Sequence, residues 1–227
     1  MNLDSFILPF DKPYGWSSFD AIRYVQRKIR EKTGEKKFKI GHAGTLDPLA
    51  TGVLTICIGK ATKQAESLQA EQKEYLATLR LGATTPSFDL ETTPEEFKPV
   101  RHITRADIEA QLQKLVGEQA QTPPVYSAKI INGKRAYTLA RKGEEVEIKP
   151  SYINILSIET EEFTLPYLTV RIRCGKGTYI RSFARDLGLL LGCGAYLCAL
   201  RRTSSGSFSE ANMVNAEELS LLVSRHL

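Results

Sequence analysis

The chain has 227 residues, of which 42% are hydrophobic and 25% are charged, as is typical of a globular protein with a packed core. No apolar run reaches the roughly 18 residues of a membrane-spanning helix, and the N-terminus lacks the features of a secretory signal, so we expect a cytoplasmic protein. Basic residues outnumber acidic residues by 31 to 26, a net charge of +5, which favours a polyanionic partner.

The first hundred residues alternate between short apolar runs and turn-forming residues. Residues 5–10 form an apolar run that is plausible as a strand, and Ser17 or Ser18 can cap a helix that runs to about Glu31. The run Gly52–Gly59 is short and rich in β-branched residues, so it predicts a buried strand. Apolar residues alternate along Lys73–Leu81, which predicts a half-buried strand.

The second half of the chain mixes predicted helices and strands. Helices are expected at 104–116, 137–142, 179–191 and 216–226, and strands at 145–148, 153–159, 167–174 and 196–201. Residues 117–135 are rich in proline, polar and basic residues, which predicts a long exposed excursion. Because strands and helices do not alternate strictly, we expect an α+β fold with a mixed, largely antiparallel sheet flanked by helices. The sequence contains no repeat or linker, which predicts a single domain over residues 1–227.

Basic residues cluster in three parts of the chain. Residues 27–39 contain seven basic and two acidic side chains, and further basic groups occupy 129–142 and 171–202. Solvated helix faces explain any one such run. The separation of the three runs from the acidic clusters favours a basic face that follows nucleic-acid phosphates.

Cysteine and histidine spacing argues against a metal site. The four cysteines form no C-x-x-C pair and lie in apolar or glycine-rich contexts, so buried free thiols are expected in preference to a disulfide or metal ligands: Cys57, Cys174, Cys193 and Cys198. The three histidines are too scattered for zinc. The sequence has no phosphate-binding loop or dinucleotide fingerprint, so we expect neither a metal nor a cofactor.

The segment Gly41–Leu54, with the sequence GHAGTLDPLATGVL, contains the strongest candidate for a catalytic group. Pro48 disfavours helix at Asp47, which places this carboxylate on an irregular turn just before the predicted buried strand. One alternative is an Asx-turn cap, a common role for aspartate before proline. His42 can stack on a base or can be an ordinary turn histidine.

Three other side chains are candidates for substrate contact. The alternation that places Tyr75 on an apolar face also makes it an ordinary core residue. Tyr179 and Arg181 follow the Gly175–Gly177 turn and present an aromatic ring close to a guanidinium. Arg181 can pair with an acid on a helix surface, or it can reach a buried acid such as Asp47.

Together these segments resemble the TruB-type family of tRNA pseudouridine synthases. The resemblance runs from about residue 5 to residue 208 through six segments in order: DKPYGWSS (11–18), GHAGTLDPLATGVL (41–54), KEYLATLRLG (73–82), QTPPVYSAKIINGKRAY (121–137), KGTYIRSFARDLG (176–188) and LRRTSSGSF (200–208). The second and fifth segments are the most specific.

The resemblance implies a role for each matching residue. Asp47 corresponds to the catalytic aspartate, and Arg181 to the arginine that ion-pairs with it. The substrate-binding positions correspond to His42 near the flipped nucleotide, Tyr75 stacked on the base, Tyr179 and Leu200 lining the uridine pocket, and Lys12 with Pro13 packed beside the site. The resemblance also implies a pseudouridine-synthase fold whose thumb-like RNA-binding insertion corresponds to residues 117–135.

The implied substrate is uridine 55 in the T-arm of tRNA, and the implied enzyme needs no protein partner. Many family members continue into a small C-terminal PUA-like domain, and this chain ends at Leu227. We therefore expect weaker contact with the acceptor arm and more reliance on the thumb and on residues 27–39. We also expect a monomer that acts alone. Two alternatives remain, a non-catalytic module that binds or folds tRNA and a uridine hydrolase or glycosylase.

Overall fold

The computed structural model describes residues 4–35, 37–127, 129–131, 133–140 and 148–226 of the chain. Within these ranges, no helix combines the length and apolar character needed to cross a membrane. Helices and strands are mixed along the chain and the strand pairs are largely antiparallel, which confirms the predicted α+β class.

The first part of the chain contains four strands and two helices. In order, these are β1 (Ser5–Lys12), α1 (Ser18–Thr33), β2 (Ile40–Ala43), β3 (Ala50–Gly59), a 3₁₀ turn (Lys60–Gln64), α2 (Ala65–Ala70) and β4 (Lys73–Leu81). Helix α1 begins at a capping box: the Asp20 N–H donates to the Ser17 hydroxyl, and the Ser17 N–H donates to the Asp20 carboxylate. Of the two serines proposed as its cap, Ser17 therefore has that role.

The remainder of the chain contains seven strands and four helices within the described ranges. They are α3 (Arg105–Gln113), β5 (Gly117–Gln121), β6 (Ile130–Ile131), β7 (Lys134–Arg135), α4 (Ala136–Ala140), β8 (Ser151–Thr164), β9 (Tyr167–Cys174), α5 (Ile180–Leu190), β10 (Ala195–Ser205), β11 (Phe208–Ser209) and α6 (Ala216–His226). The predicted strand at 167–174 is confirmed to the residue. The predicted helices near 104, 179 and 216 are also present.

The chain divides into two compact units. Unit 1 comprises the residues up to Tyr75 together with those from Leu200 onward, and unit 2 comprises Leu76–Ala199. Strands β4 and β10 run across the division, so each of them contributes residues to both units.

In unit 1, strand β3 has neighbours on both sides. All of strand β1 pairs antiparallel with β3. Strand β2 pairs antiparallel with the second half of β3, and β10 pairs parallel with the first residues of β3. The β3 side chains Val53, Leu54, Ile56 and Ile58 have no exposed surface. This complete burial explains why the strand has a continuous apolar sequence.

In unit 2, the strands follow the order β4-β9-β8-β5. Strands β8 and β9 form a long antiparallel pair, and β5 adds to β8 in antiparallel register. The predicted alternation along β4 is confirmed, because Ala77, Leu79 and Leu81 are buried while the intervening residues are half-buried. Helices α3 and α5 contact each other, and α3 also contacts β8.

The prediction of one exposed excursion at 117–135 is wrong for its first five residues. Gly117–Gln121 forms β5, and the Gln121 side chain is buried. Its polar sequence, GEQAQ, concealed the strand because four of its five residues are only half-buried or exposed at the edge of the sheet. The predicted strand at 145–148 lies mostly outside the described residues.

Candidate active site

Asp47 lies in the loop between β2 and β3 and is half-buried. The Ala50 N–H donates to the Asp47 carbonyl oxygen over 3.0 Å, so residues 47–50 form a turn. Pro48 occupies the second position of this turn, where its fixed φ is favourable. The predicted location of Asp47, on an irregular turn before a buried strand, is confirmed.

Lys12, the last residue of β1, is a buried neighbour of this loop. Its side chain has 0% exposure, and its ammonium donates to the carbonyl oxygens of Pro13 at 3.0 Å, Trp16 at 2.6 Å and Pro48 at 3.3 Å. Burial lowers the pKa of Lys12 to about 8, although the Asp47 carboxylate acts in the opposite direction. The role of Lys12 in substrate binding stays a prediction, and in the structure its hydrogen bonds join the end of β1 to the Asp47 loop.

Arg202, on β10, is a second buried cation at the same loop. Its side chain is 1% exposed, its Nε donates to the Val53 carbonyl oxygen over 2.7 Å, and its Nη2 donates to the Gly44 carbonyl oxygen over 3.1 Å. Arg202 therefore ties the start of the loop to the strand that follows it. Sequence reasoning missed this role, although the segment LRRT that contains Arg202 stood out.

His42 lies on β2, opposite Ile56 of β3, and is half-buried. Its Nδ1 atom is buried and has no hydrogen-bond partner among the described residues. Burial lowers the pKa of His42, and the nearby Arg202 guanidinium lowers it further, so the imidazole is neutral at pH 7. A neutral aromatic ring is suited to stack on a base.

Two more predicted residues of the site belong to unit 1. Leu200 pairs with Ala50 in the parallel register between β10 and β3, beside the end of the Asp47 turn. Tyr75 is 8% exposed on β4. The structure therefore brings Lys12, His42 and Leu200 to the same loop or to strands next to it.

Tyr179 and Arg181 start helix α5 in unit 2. The buried Gln121 amide accepts from the Tyr179 N–H at 2.9 Å and donates to the Tyr179 carbonyl oxygen at 3.2 Å. Arg181 is 3% exposed, ion-pairs with Asp89 at 3.5 Å between Nε and Oδ2, and donates to the carbonyl oxygens of Ser87 and Tyr126. The backbone of Tyr179 and the guanidinium of Arg181 are thus both fixed within unit 2.

Asp89 and Gln121 were not identified from the sequence. Asp89 is 5% exposed, and its Oδ1 accepts from the Ser87 hydroxyl at 2.6 Å and from the Glu91 N–H at 2.9 Å. A single acid in a stretch of turn residues has no distinguishing sequence pattern. Its importance depends on contacts with residues far apart in the chain.

Within the part of the chain that the structure describes, no cluster of three or more histidine, cysteine, aspartate or glutamate residues is arranged to hold a metal ion. Cys57, Cys174 and Cys193 are buried, as expected, and Cys198 is half-buried. Unit 1 therefore contains the Asp47 loop with its buried cations, and unit 2 contains a helix start at which Tyr179 and Arg181 are held in place.

Comparison with known proteins gives matches along most of the chain. Residues 30–180 match the family model described as TruB family pseudouridylate synthase (N terminal domain), and residues 181–226 match the model of the tRNA pseudouridylate synthase B C-terminal domain. The tRNA pseudouridine synthase B of Phocaeicola vulgatus is 52% identical over 93% of this chain and 90% of its own length. That of Clostridium kluyveri is 43% identical over 94% of this chain and 71% of its own length.

Solved structures agree with these matches. A Cbf5-Nop10-Gar1 complex contains a chain that superimposes with a TM-score of 0.74 at 26% identity, covering 96% of this chain and 54% of the other. An H/ACA RNP bound to a substrate RNA containing 2′-deoxyuridine gives a TM-score of 0.70 at 25% identity, covering 96% and 53%. This chain therefore spans about half the length of those solved chains. The family model covers more than half of the chain, and the relative from Phocaeicola vulgatus is 52% identical over 90% of its own length. The chain therefore belongs to the TruB family of pseudouridylate synthases.

Proposed function

We propose that this chain converts uridine to pseudouridine in tRNA, at position 55 of the T-arm. The observation that supports this most is the Asp47 loop of a chain that belongs to this family, in which buried cations hold the backbone on both sides of the carboxylate, Arg202 at Gly44 and Lys12 at Pro48. The tRNA substrate follows from the printed names of the relatives, and the position within tRNA follows from the family resemblance.

The isomerisation requires no redox partner. The glycosidic bond between C1′ and N1 breaks and a bond between C1′ and C5 forms, while the hydrogen leaves C5 as a proton and N1 gains a proton. Electrons and atoms therefore balance within the uridine and water. A carboxylate such as Asp47 assists by adding to the base or the sugar, or by promoting elimination at the sugar.

The target uridine has to leave its stack before Asp47 can reach it, at a cost of a few kcal/mol. We propose that Tyr75 offsets this cost by stacking on the extruded base, a contact that contributes about 1–3 kcal/mol in single-stranded recognition. The Tyr75 hydroxyl also offers a relay for the proton that leaves C5. His42, neutral at pH 7, would contact the flipped nucleotide.

We propose that Tyr179 and Leu200 line the uridine pocket and that Arg181 ion-pairs with Asp47. A guanidinium beside Asp47 would orient the carboxylate through an ion pair. The anchoring of Arg181 by Asp89 and by two backbone carbonyl oxygens supports this proposal, because it fixes the guanidinium before RNA binds. Residues 1–227 would act as one catalytic domain and as a cytoplasmic monomer without a protein partner. The part of 117–135 that follows β5 would be the RNA-binding thumb.

The test uses the purified full chain, EDTA and an in vitro transcribed tRNA, followed by chemical mapping of pseudouridine. The proposal predicts one modification, at position 55, and no modification of a control tRNA with cytidine at that position. Absence of pseudouridine, or its formation only at another position, would contradict the proposal. Release of free uracil would instead identify a uridine hydrolase or glycosylase.

A further inference from the structure

Ser18, the first residue of α1, makes two hydrogen bonds to a single residue of the Asp47 loop. Its hydroxyl oxygen accepts from the Leu46 N–H at 2.9 Å, and its hydroxyl donates to the Leu46 carbonyl oxygen at 3.0 Å. Ser18 is 4% exposed and Leu46 is 3% exposed, so water does not compete for either bond. One hydroxyl therefore satisfies both backbone polar groups of the residue that directly precedes Asp47.

This arrangement substitutes for strand pairing. The N–H and the C=O of one residue point to the same side when the backbone is extended, and in a sheet a neighbouring strand would bond to both. The loop 44–49 lies between two strands but is not itself in a sheet. Ser18 provides the bonds that a neighbouring strand would provide, and it fixes the backbone orientation at Leu46.

Ser18 is itself held in place by the start of α1. The buried residues Ala21 and Ile22 fix the first turn of the helix against the core. Ser18 is therefore attached to a well-defined helix start and not to a mobile loop.

The residue after Asp47 is held separately. The Pro48 carbonyl oxygen accepts from the Gly15 N–H at 2.9 Å and from the Lys12 ammonium at 3.3 Å. Asp47 thus lies between two residues whose backbones are anchored, Leu46 by Ser18 and Pro48 by the 12–15 segment. Both anchors come from the stretch Lys12–Ser18, which ends β1 and begins α1.

We propose that Ser18 is a positioning residue for the reaction at Asp47, acting by fixing the peptide that precedes the carboxylate. The inference depends on the proposed function of Asp47. A displacement of a reacting group by about 1 Å costs about 100-fold in rate. Loss of the Ser18 hydroxyl should therefore reduce the rate of pseudouridine formation at saturating RNA, with little change in RNA affinity.

The test compares Ser18→Ala with Ser17→Ala in single-turnover assays at saturating tRNA. Ser17→Ala is the matched control because it removes a hydroxyl from the adjacent residue and weakens the helix cap without touching the loop. We expect Ser18→Ala to lower the rate by about 10- to 100-fold. Ser17→Ala should keep the wild-type rate when it is assayed below the melting temperature of that variant. Both variants should bind tRNA with unchanged affinity. Ser18→Thr, which keeps the hydroxyl, should recover most of the rate.

Three results would overturn the proposal: a wild-type rate for folded Ser18→Ala, equal rate losses for both alanine variants, or a loss confined to RNA affinity. A folded Ser18→Thr as slow as Ser18→Ala would also contradict it. Asp47→Asn in the same assay distinguishes a failure of the Ser18 proposal from a failure of the proposed function. If Asp47→Asn is inactive and Ser18→Ala is fully active, only the role of Ser18 fails, whereas an active Asp47→Asn removes the function on which that role depends.

Discussion

At the residue scale, the Asp47 loop is supported by charges buried out of reach of water. Lys12 has no exposed surface, and burying an ammonium is unfavourable unless its donors are satisfied. Three backbone carbonyl oxygens satisfy it, and the Asp47 carboxylate stabilises its charge. The lowered pKa of Lys12, about 8, shows that burial still outweighs these favourable contacts.

That lowered pKa predicts a pH dependence of stability. Between about 8, the pKa of Lys12 in the folded protein, and 10.5, its ordinary value, the unfolded chain binds more protons than the folded chain, so stability rises with pH. The variant Lys12→Met cannot titrate at this position and serves as the reference. The free energy of unfolding of the wild type, minus that of Lys12→Met, should increase by about 1 kcal/mol from about pH 7 to about pH 9. Urea denaturation of both proteins at several pH values measures the difference. A difference that stays constant with pH, or that falls, would contradict a buried Lys12 with a lowered pKa.

Individual residues differ in how far the sequence reveals them. The position of Asp47 on a turn before a buried strand was predictable, because Pro48 disfavours helix at Asp47 and the neighbouring glycines permit an irregular backbone. The support provided by Ser18 and Arg202 was not predictable, because their partners lie 28 and 158 residues away in sequence, at Leu46 and Gly44. Local patterns indicate how the backbone turns, but they do not show which distant side chain stabilises the turn.

At the element scale, strand β3 passes between two buried cations at Gly52. In the ladder, Gly52 lies opposite Lys12 of β1 on one side and Arg202 of β10 on the other. Its φ is +96°, and a Cβ atom there would lie 2.3 Å from the Arg202 carbonyl oxygen. Only glycine allows the strand to approach β10 this closely while adopting a left-handed conformation.

Gly52→Ala is therefore expected to destabilise unit 1 strongly. The clash is with backbone and cannot be relieved by rotation of a side chain, so we expect a loss of about 2–4 kcal/mol in the free energy of unfolding. Gly41→Ala is the matched control, since a Cβ at Gly41 meets nothing within 4 Å and its φ is not positive. Thermal denaturation of both variants is the measurement, and equal melting temperatures would show that the close approach at Gly52 does not matter.

Elements were predictable where burial follows a simple period. Strand β3 has a continuous apolar run, β4 alternates, and α1 repeats apolar residues at helical spacing, so all three were found. Strands β2 and β5 were missed because each is short, and their sequences, IGHA and GEQAQ, carry no strong period. Their strand conformation results from pairing with β3 and β8, which is a property of the tertiary structure.

At the scale of the whole molecule, the net charge of +5 and the basic run at residues 27–39 predict a salt-sensitive complex with tRNA. The logarithm of the association constant should fall linearly with the logarithm of salt concentration, because bound phosphates release counterions. Fluorescence anisotropy with labelled tRNA between about 50 and 200 mM salt measures the slope. An affinity that does not depend on salt would contradict a binding face that follows phosphates.

The same measurement locates the binding face. Arg30 and Lys32 are exposed near the end of α1, so replacing both by glutamine should reduce the slope by up to about 2 if each neutralises one phosphate. Arg105→Gln removes an exposed charge from the start of α3 and serves as the control, with an unchanged slope. Identical slopes for the wild type and the α1 variant would remove residues 27–39 from the proposed RNA interface.

Proton release from C5 of the target uridine reports whether Asp47 carries out the isomerisation. A T-arm RNA with tritium at C5 of the target uridine loses that label when the new bond forms at C5. Wild type and the control Asp107→Asn, which changes an exposed capping residue, should release the label, whereas folded Asp47→Asn should bind the RNA with wild-type affinity and release none. Release by Asp47→Asn at the wild-type rate would contradict the account.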